Sequence, residues 1–180
     1  MTSRTSQLMQ RFYEARPAEK LASAVALHDA LSPLLDDLPH LTEALARLRQ
    51  ECAALARQMT DMDLGRLCGR CAARPGGGCC SALMADNADV LQILINLLLD
   101  AAITVQPDHG DNCCFLGPAG CLFPVKPIFC LNYNCTHILT GAVSADLAAL
   151  LQRAATVLNR QVRIETMLLE LARDRMHLVV

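Results

Sequence analysis

Tryptophan is missing from this chain, and tyrosine and phenylalanine together supply six of its 180 residues. A core must therefore be assembled from aliphatic side chains. Excess charge is missing too: sixteen Lys and Arg face eighteen Asp and Glu, leaving a net charge of −2. That near balance argues against nucleic-acid binding, which needs surplus cations to neutralise phosphates. Arg66, Arg70 and Arg74 form the one local basic cluster, and three arginines around a loop read as ordinary solvated surface. The most hydrophobic stretch, Val90 to Val105, falls short of the ~20 apolar residues needed to cross a bilayer, and Gln92, Asn96 and Asp100 interrupt it. The opening residues carry no apolar segment of the secretory type. Phosphate-binding loops, HExxH and a readable serine–histidine–acid set are likewise missing. These gaps predict a cytoplasmic protein with neither nucleic acid nor membrane as partner.

Cysteine is what the chain has in abundance, with ten residues. In a reducing compartment they point to metal or redox chemistry before structural disulfides. The rest reads as helix. Leu8, Phe12 and Ala15 repeat on one face of a first segment. Pro17 fits the opening turn of a second, which carries Leu21, Val25, His28 and Leu31. After a break at "SPLLDDLP", Leu41, Leu45, Leu48, Cys52, Leu55 and Met59 alternate four and three residues apart, an amphipathic seam. Cys52 sits inside that seam and is assigned to the core, where a free thiol behaves as a small hydrophobe.

Helices are expected over about 6–60, about 86–104 and about 144–176. The central one is apolar nearly all round, with Gln92, Asn96 and Asp100 as a narrow polar stripe read as facing solvent. The last opens with Ser144 as N-cap and Asp146 in the first turn. It turns Leu147, Leu151, Ala154, Leu158, Val162, Leu168 and Leu171 inward. No strand pattern and no internal repeat is evident. The predicted fold class is all-α, a single domain over 1–180. It is a helical bundle with two cysteine-rich irregular loops, 65–82 and 108–138, forming a metal site at one end.

With Cys52 set aside, the cysteines form two groups: Cys68, Cys71, Cys79 and Cys80, then Cys113, Cys114, Cys121, Cys130 and Cys135. "CGRC" has the spacing that lets two thiolates converge on one metal in a tight turn, which Gly69 relaxes. "PGGG" frees the chain to return Cys79 or Cys80 to the same point. In the second group Pro118, Pro124 and Pro127 restrict the backbone and stop helices. Such loops are expected to have few hydrophobic anchors. Thiolate–metal bonds can supply the missing order, on the order of 10 kcal/mol for a structural zinc. A redox CxxC would open a helix after a strand, whereas this one runs into Arg-Pro-Gly-Gly-Gly.

The expected metal ligands are Cys68, Cys71, Cys79, Cys80, Cys113, Cys121, Cys130 and Cys135. Cys114 is the surplus thiol, because adjacent Cys113 and Cys114 tend to point different ways. His109 and His137 are read as polar surface. The thiols could furnish two four-thiolate sites, or one site with the remainder serving packing or redox chemistry. Zinc and iron–sulfur clusters both accept four thiolates.

The order of CxxC, a CC pair, "CCFL", a further Cys and then aromatic, basic residue, Pro, two residues and Cys resembles a bacterial cysteine-cluster family (YkgJ-type), described as a zinc- or iron-chelating domain. Cys68, Cys71, Cys79 and Cys80 match its opening cysteines, and Cys113 with Phe115 and Leu116 its Cys-x-Phe-Leu element. Cys121, Lys126, Pro127, Cys130 and Tyr133 match its closing element. The match runs from Leu67 to Cys135, less than half the chain. It departs in the longer Cys71–Cys79 gap, in Lys126 where the family prefers Arg, in Asn134 where it often has Pro, and in the additional Cys135. The resemblance implies metal chelation, with iron favoured. Some relatives of the domain occur in flagellin lysine methylases, but no methyl-donor site is readable here.

The expectation is a metal-binding protein that holds an iron–sulfur cluster (4Fe–4S) through cysteine thiolates, for electron transfer or sensing. Backbone N–H groups of Gly76 to Gly78 are expected to stabilise the sulfur charge. One alternative is a structural zinc in an interaction protein, with the Leu41–Met59 seam free to pair with another chain. Another is a metal- or thiol-dependent enzyme. Asp61, Asp63, Asp86, Asp108 and Asp111 lie near the cysteines in sequence, and none stands out as a general acid or base.

Overall fold

The computed structural model describes residues 10–72, 78–107, 110–118, 120–131 and 135–175, the side chains of 72, 137 and 173–175 excepted. Leu8, Arg74, Gly76, Gly77, Asp108, His109, Tyr133, Asn134 and the His137 side chain lie outside the described residues.

The chain is mostly helical. A π-helical turn at Gln10–Glu14 precedes α1 (Pro17–Leu31), a 3₁₀ turn (Ser32–Asp37) and α2 (Pro39–Asp61). Prolines in the first turns of these last three elements cost no hydrogen bond, since those N–H groups have no helical partner. Then come α3 (Leu64–Ala72), the one-turn α4 (Ala82–Ala85) and α5 (Val90–Leu98). A minimal antiparallel hairpin pairs β1 (Leu116–Gly117) with β2 (Gly120–Cys121). It is a departure from the expected absence of strands. Gly120 closes it at a φ of +114°, a region that side-chain-bearing residues rarely enter. The chain ends with α6 (Ile128–Leu131), α7 (Thr136–Gly141) and α8 (Ser144–Arg175).

The frame is α2 lying along α8, with α1 against α5 and α5 also touching α8. The expected seam on α2 is buried at Leu41, Leu45, Leu48, Cys52 and Leu55, and Met59 is half-buried. Its counterpart on α8 is Leu150, Ala154, Val157, Gln161, Ile164 and Leu168, again at alternating fours and threes. This corrects the expected face: Leu151 and Val162 point outward, at 44% and 58% exposure. A polar Gln161 occupies the seam, so a reading that follows apolar residues drifts to the neighbouring stripe. Between the two helices Arg160 donates to Glu51 at 2.7 Å, both side chains largely buried. Ser144 is the first helical residue rather than the N-cap, and Leu147 N–H bonds the Val143 carbonyl. On α1 the buried face holds Lys20, Ser23 and Ala24, while Val25 is 40% exposed.

Two further expectations change. The segment expected as a loop from 65 contains α3, because Leu64, Leu67, Cys68 and Cys71 form an i, i+3, i+4, i+7 face. Asp63, in the left-handed region at φ +54°, separates it from α2. The central helix stops at Leu98 instead of about residue 104. Asp100 adopts φ +62°, and the Ala101 and Asp100 N–H groups close a Schellman motif onto Asn96 and Leu97 carbonyls. Arg49 of α2 completes this end, donating to the Leu99 carbonyl at 2.9 Å and to the Asp100 carboxylate at 2.7 Å.

Candidate metal centre

Three devices position the cysteine-bearing chain. The first is α3, whose helical register places Cys68 and Cys71 three residues apart on one face. Arg66 and Arg70 are exposed on the same helix, and Arg66 pairs with Asp63. The second joins the two cysteine segments through their backbones. Cys113 N–H donates to the Cys80 carbonyl at 2.9 Å, Ala82 N–H to the Asp111 carbonyl at 2.8 Å, and Ser81 bridges Asn112. Residues some thirty positions apart in sequence thus lie side by side.

The third device was misread from sequence. Gln92 and Asn96 are buried, at 3% and 0% exposure, and of the expected solvent stripe only Asp100 faces out. Asn96 Nδ2 donates to the Val125 carbonyl at 2.9 Å, Val125 N–H donates to Asn96 Oδ1 at 2.9 Å, and Gln92 Nε2 donates to the same carbonyl. Gln161 of α8 donates in turn to Gln92 Oε1 and, at 2.7 Å, to Glu165. The helix therefore grips the backbone midway between Cys121 and Cys130 with a nearly complete set of amide bonds. The expected shortage of hydrophobic anchors is also corrected. Cys114, Phe115, Phe123, Val125, Pro127 and Leu131 are buried, with the Phe115 and Phe123 rings 4.7 Å apart.

All eight expected ligand cysteines lie within the described residues and carry free thiols. Cys68 and Cys79 are exposed, and Cys71, Cys80, Cys113, Cys121, Cys130 and Cys135 are half-buried. Their mutual influence maps their neighbourhood. Partial burial pushes the Cys68 thiol up, as do the nearby Cys79, Cys135 and Cys71 sulfurs. Cys80 donates to the Cys79 sulfur, which holds Cys79 below the usual thiol range and raises Cys80. Cys80 also feels Cys121 and Cys130. Cys130 is pushed up to about 12 by burial and then by Cys121, Cys113 and Cys79, with the Lys126 ammonium pulling the other way. Cys113 is raised by burial, while the Phe115 N–H donates to its sulfur and Cys121 adds to the rise. These influences run between Cys68 and Cys71, Cys79 and Cys135, and between Cys130 and Cys79, Cys80, Cys113 and Cys121.

Cys52 and Cys114, set aside from the site, are both buried, and burial pushes each thiol up to about 11. A groove of about 420 Å³ lies against Cys121, lined among others by Arg49, Cys52, Met59, Phe123 and Lys126. Among the described residues, no three His, Cys, Asp or Glu side chains already surround a common point closely enough to hold an ion. The donor set still fits a thiophilic metal in its chemistry, being all sulfur, partly shielded from water and supplied with a backbone N–H donor. No helix among the described residues is long and apolar enough to cross a membrane.

No family model matches the chain, and no curated protein or solved structure is significantly similar to it.

Proposed function

We propose that this protein binds metal through the thiolates of Cys68, Cys71, Cys79, Cys80, Cys113, Cys121, Cys130 and Cys135, in the form of iron–sulfur chemistry, within a reducing, cytoplasmic compartment. One observation carries the reading. Two cysteine segments remote in sequence are stitched together by backbone bonds at Cys80 and Cys113, and their sulfurs then act on one another. Thiols that influence one another repel once ionised, so a cation among them is the natural partner of the charged state. Iron is favoured over zinc because no histidine or carboxylate belongs to the donor set and the thiols exceed the needs of one zinc ion. The motif resemblance to the bacterial cysteine-cluster family points the same way.

An iron–sulfur centre would supply one-electron exchange for electron transfer or sensing. The chain's own residues hold and shield it. The Phe115 N–H stabilises charge on Cys113, Lys126 lies near Cys130, and the Asn96–Val125 bonds fix the segment between Cys121 and Cys130.

The test is elemental analysis and a visible spectrum on protein purified without oxygen, beside the Cys68→Ser/Cys130→Ser double variant and Cys52→Ser. Iron with acid-labile sulfide in the parent and in Cys52→Ser, lost from the double variant, is the expected result. Colourless protein with stoichiometric zinc would replace the cluster with a structural ion, and neither metal would end the proposal.

A further inference from the structure

Behind the bonds that hold Val125 lies a run of buried amides that ends on an acid. We propose that Glu165, Gln161 and Gln92 form a proton-switched relay. Uptake of one proton by Glu165 withdraws the Gln92 donor from the Val125 carbonyl and loosens the segment between Cys121 and Cys130. The relay itself needs no metal, and only its bearing on metal retention rests on the reading above.

The hydrogen bonds all run one way. Gln161 Nε2 uses both of its N–H groups, one on Gln92 Oε1 and one on Glu165 Oε1 at 2.7 Å. With its oxygen engaged there, Gln92 turns its own Nε2 to the Val125 carbonyl. An amide has one donating and one accepting end, so the orientation of each link fixes the next. The Glu165 carboxylate, which can only accept, sets the direction. One atom is left over: Gln161 is 7% exposed, and its Oε1 has no hydrogen-bond partner among the described residues. A buried acceptor in that position is unfavourable, so the arrangement depends on the charge that holds it.

Protonation reverses each link. The Glu165 O–H requires an acceptor, and Gln161 Oε1 provides it once that amide turns over. Gln92 then turns over to donate to the same oxygen, which brings Gln92 Oε1 to face the Val125 carbonyl. Two acceptors cannot bond. Val125 is left with Asn96 alone, which donates to its carbonyl at 2.9 Å and accepts its N–H at 2.9 Å. The proton comes from solvent and stays on Glu165.

The surroundings direct that proton to Glu165. Burial lifts Glu165 above the ordinary carboxylate range, opposed by the Gln161 N–H and reinforced by the like charge of Asp89. Asp89, the N-cap of α5, is raised by burial too, but the Gln92 N–H bonds it at 2.8 Å and the Lys20 ammonium of α1 lies near. Asp89 is thus better held in its charged form than Glu165. Lys20 is buried and donates to the Asp86 carbonyl at 2.9 Å. Tyr13 of the π-helical turn is raised by burial and then by both carboxylates, and it keeps its proton throughout. Arg160 of α8 is engaged with Glu51 of α2.

Isotope-labelled full-length protein tests the relay by NMR between about pH 7 and pH 4. The Gln92 side-chain amide and the Val125 carbonyl carbon should shift with the same midpoint as the Glu165 carboxyl carbon. Amide protection over 121–131, corrected for the intrinsic pH dependence of exchange, should fall about fivefold on the acid side while α2 is unchanged. Glu165→Gln should abolish both responses, and because thiol protonation is common to parent and variant, their difference isolates the relay. Asp89→Asn keeps the cap and should lower the midpoint by removing the like charge. A Val125 carbonyl that stays still while Glu165 titrates, or that moves equally in Glu165→Gln, would overturn the proposal. Coincident midpoints in the parent require no substitution, so the test remains decisive where a variant fails to fold. The same response in a parent that binds no metal would support the relay while ending the metal-binding reading.

Discussion

Along α2 and α8 the chain is held by a continuous aliphatic surface, whereas around Val125 it is held by amides. Leu48, Leu55, Val157 and Ile164 are at or near zero exposure, and such contacts are individually weak, non-directional and cumulative. At the cysteine end, Asn96 and Gln92 each aim a specific group at one peptide unit. Burial of an unpartnered amide costs more than an equivalent apolar contact returns, so a few residues carry much of the order there. The bundle should therefore tolerate small changes gradually, and the cysteine end should fail at particular positions.

The widest separation between the two regions should come from metal removal. Chelation is expected to loosen residues 110–131 on the order of several kcal/mol while far-UV helicity is largely kept. Hydrogen exchange read by peptide would check it, and equal loosening of α2 and α8 would erase the distinction. Lowering the pH should act in the same direction. Thiols raised by burial and by one another must lose protons to bind metal, so affinity should fall as pH falls.

Next in size is Asn96→Ala, expected to cost about 3 kcal/mol because both polar groups of Val125 lose their Asn96 partner inside the protein. Leu48→Ala should cost a similar amount, about 3 kcal/mol, by leaving a cavity in the bundle. Denaturation midpoints measure both. Metal retention tells them apart, since Asn96→Ala alone should weaken it.

A smaller effect is expected from Cys52. Its folded thiol is raised to about 11, above the value it takes when unfolded. The folded state thus keeps a proton that the unfolded chain releases. This contributes stability that is fully present below pH ~9 and is lost as pH rises toward 11. Cys52→Ala should flatten that alkaline limb, a change of about 1–2 kcal/mol in urea titrations repeated from pH 8 to 11. The smallest effect belongs to Arg160 and Glu51. A double-mutant cycle should return about 1 kcal/mol of coupling, since the guanidinium bonds both carboxylate oxygens at a half-buried contact that water still reaches.

Particular residues show where sequence was sufficient. The α2 seam was legible because its four–three spacing is uninterrupted and every member is apolar or a thiol. The abundance and two-group spacing of the cysteines were legible directly, and the structure brings the two segments that carry them side by side at Cys80 and Cys113. The α8 seam was misplaced because Gln161 belongs to it, and the Gln92–Asn96 stripe was assigned to solvent because amides usually lie there. Both errors have one source. A polar side chain reveals its partner only when another element brings that partner to it: for Gln92 and Asn96 it is the Val125 peptide group, some thirty residues away, and for Gln161 it is the Gln92 side chain on α5.

Composition and periodicity were enough to determine that the chain is mostly helical, that its core is largely aliphatic and that its thiols gather in two segments. These follow from local spacing and side-chain type, which each segment carries with it. The tertiary structure decided which cysteines are neighbours. Cys80 lies beside Cys113 because backbone bonds join their two segments and buried amides set the path of the chain beyond them, and no local pattern records a bond to a distant peptide.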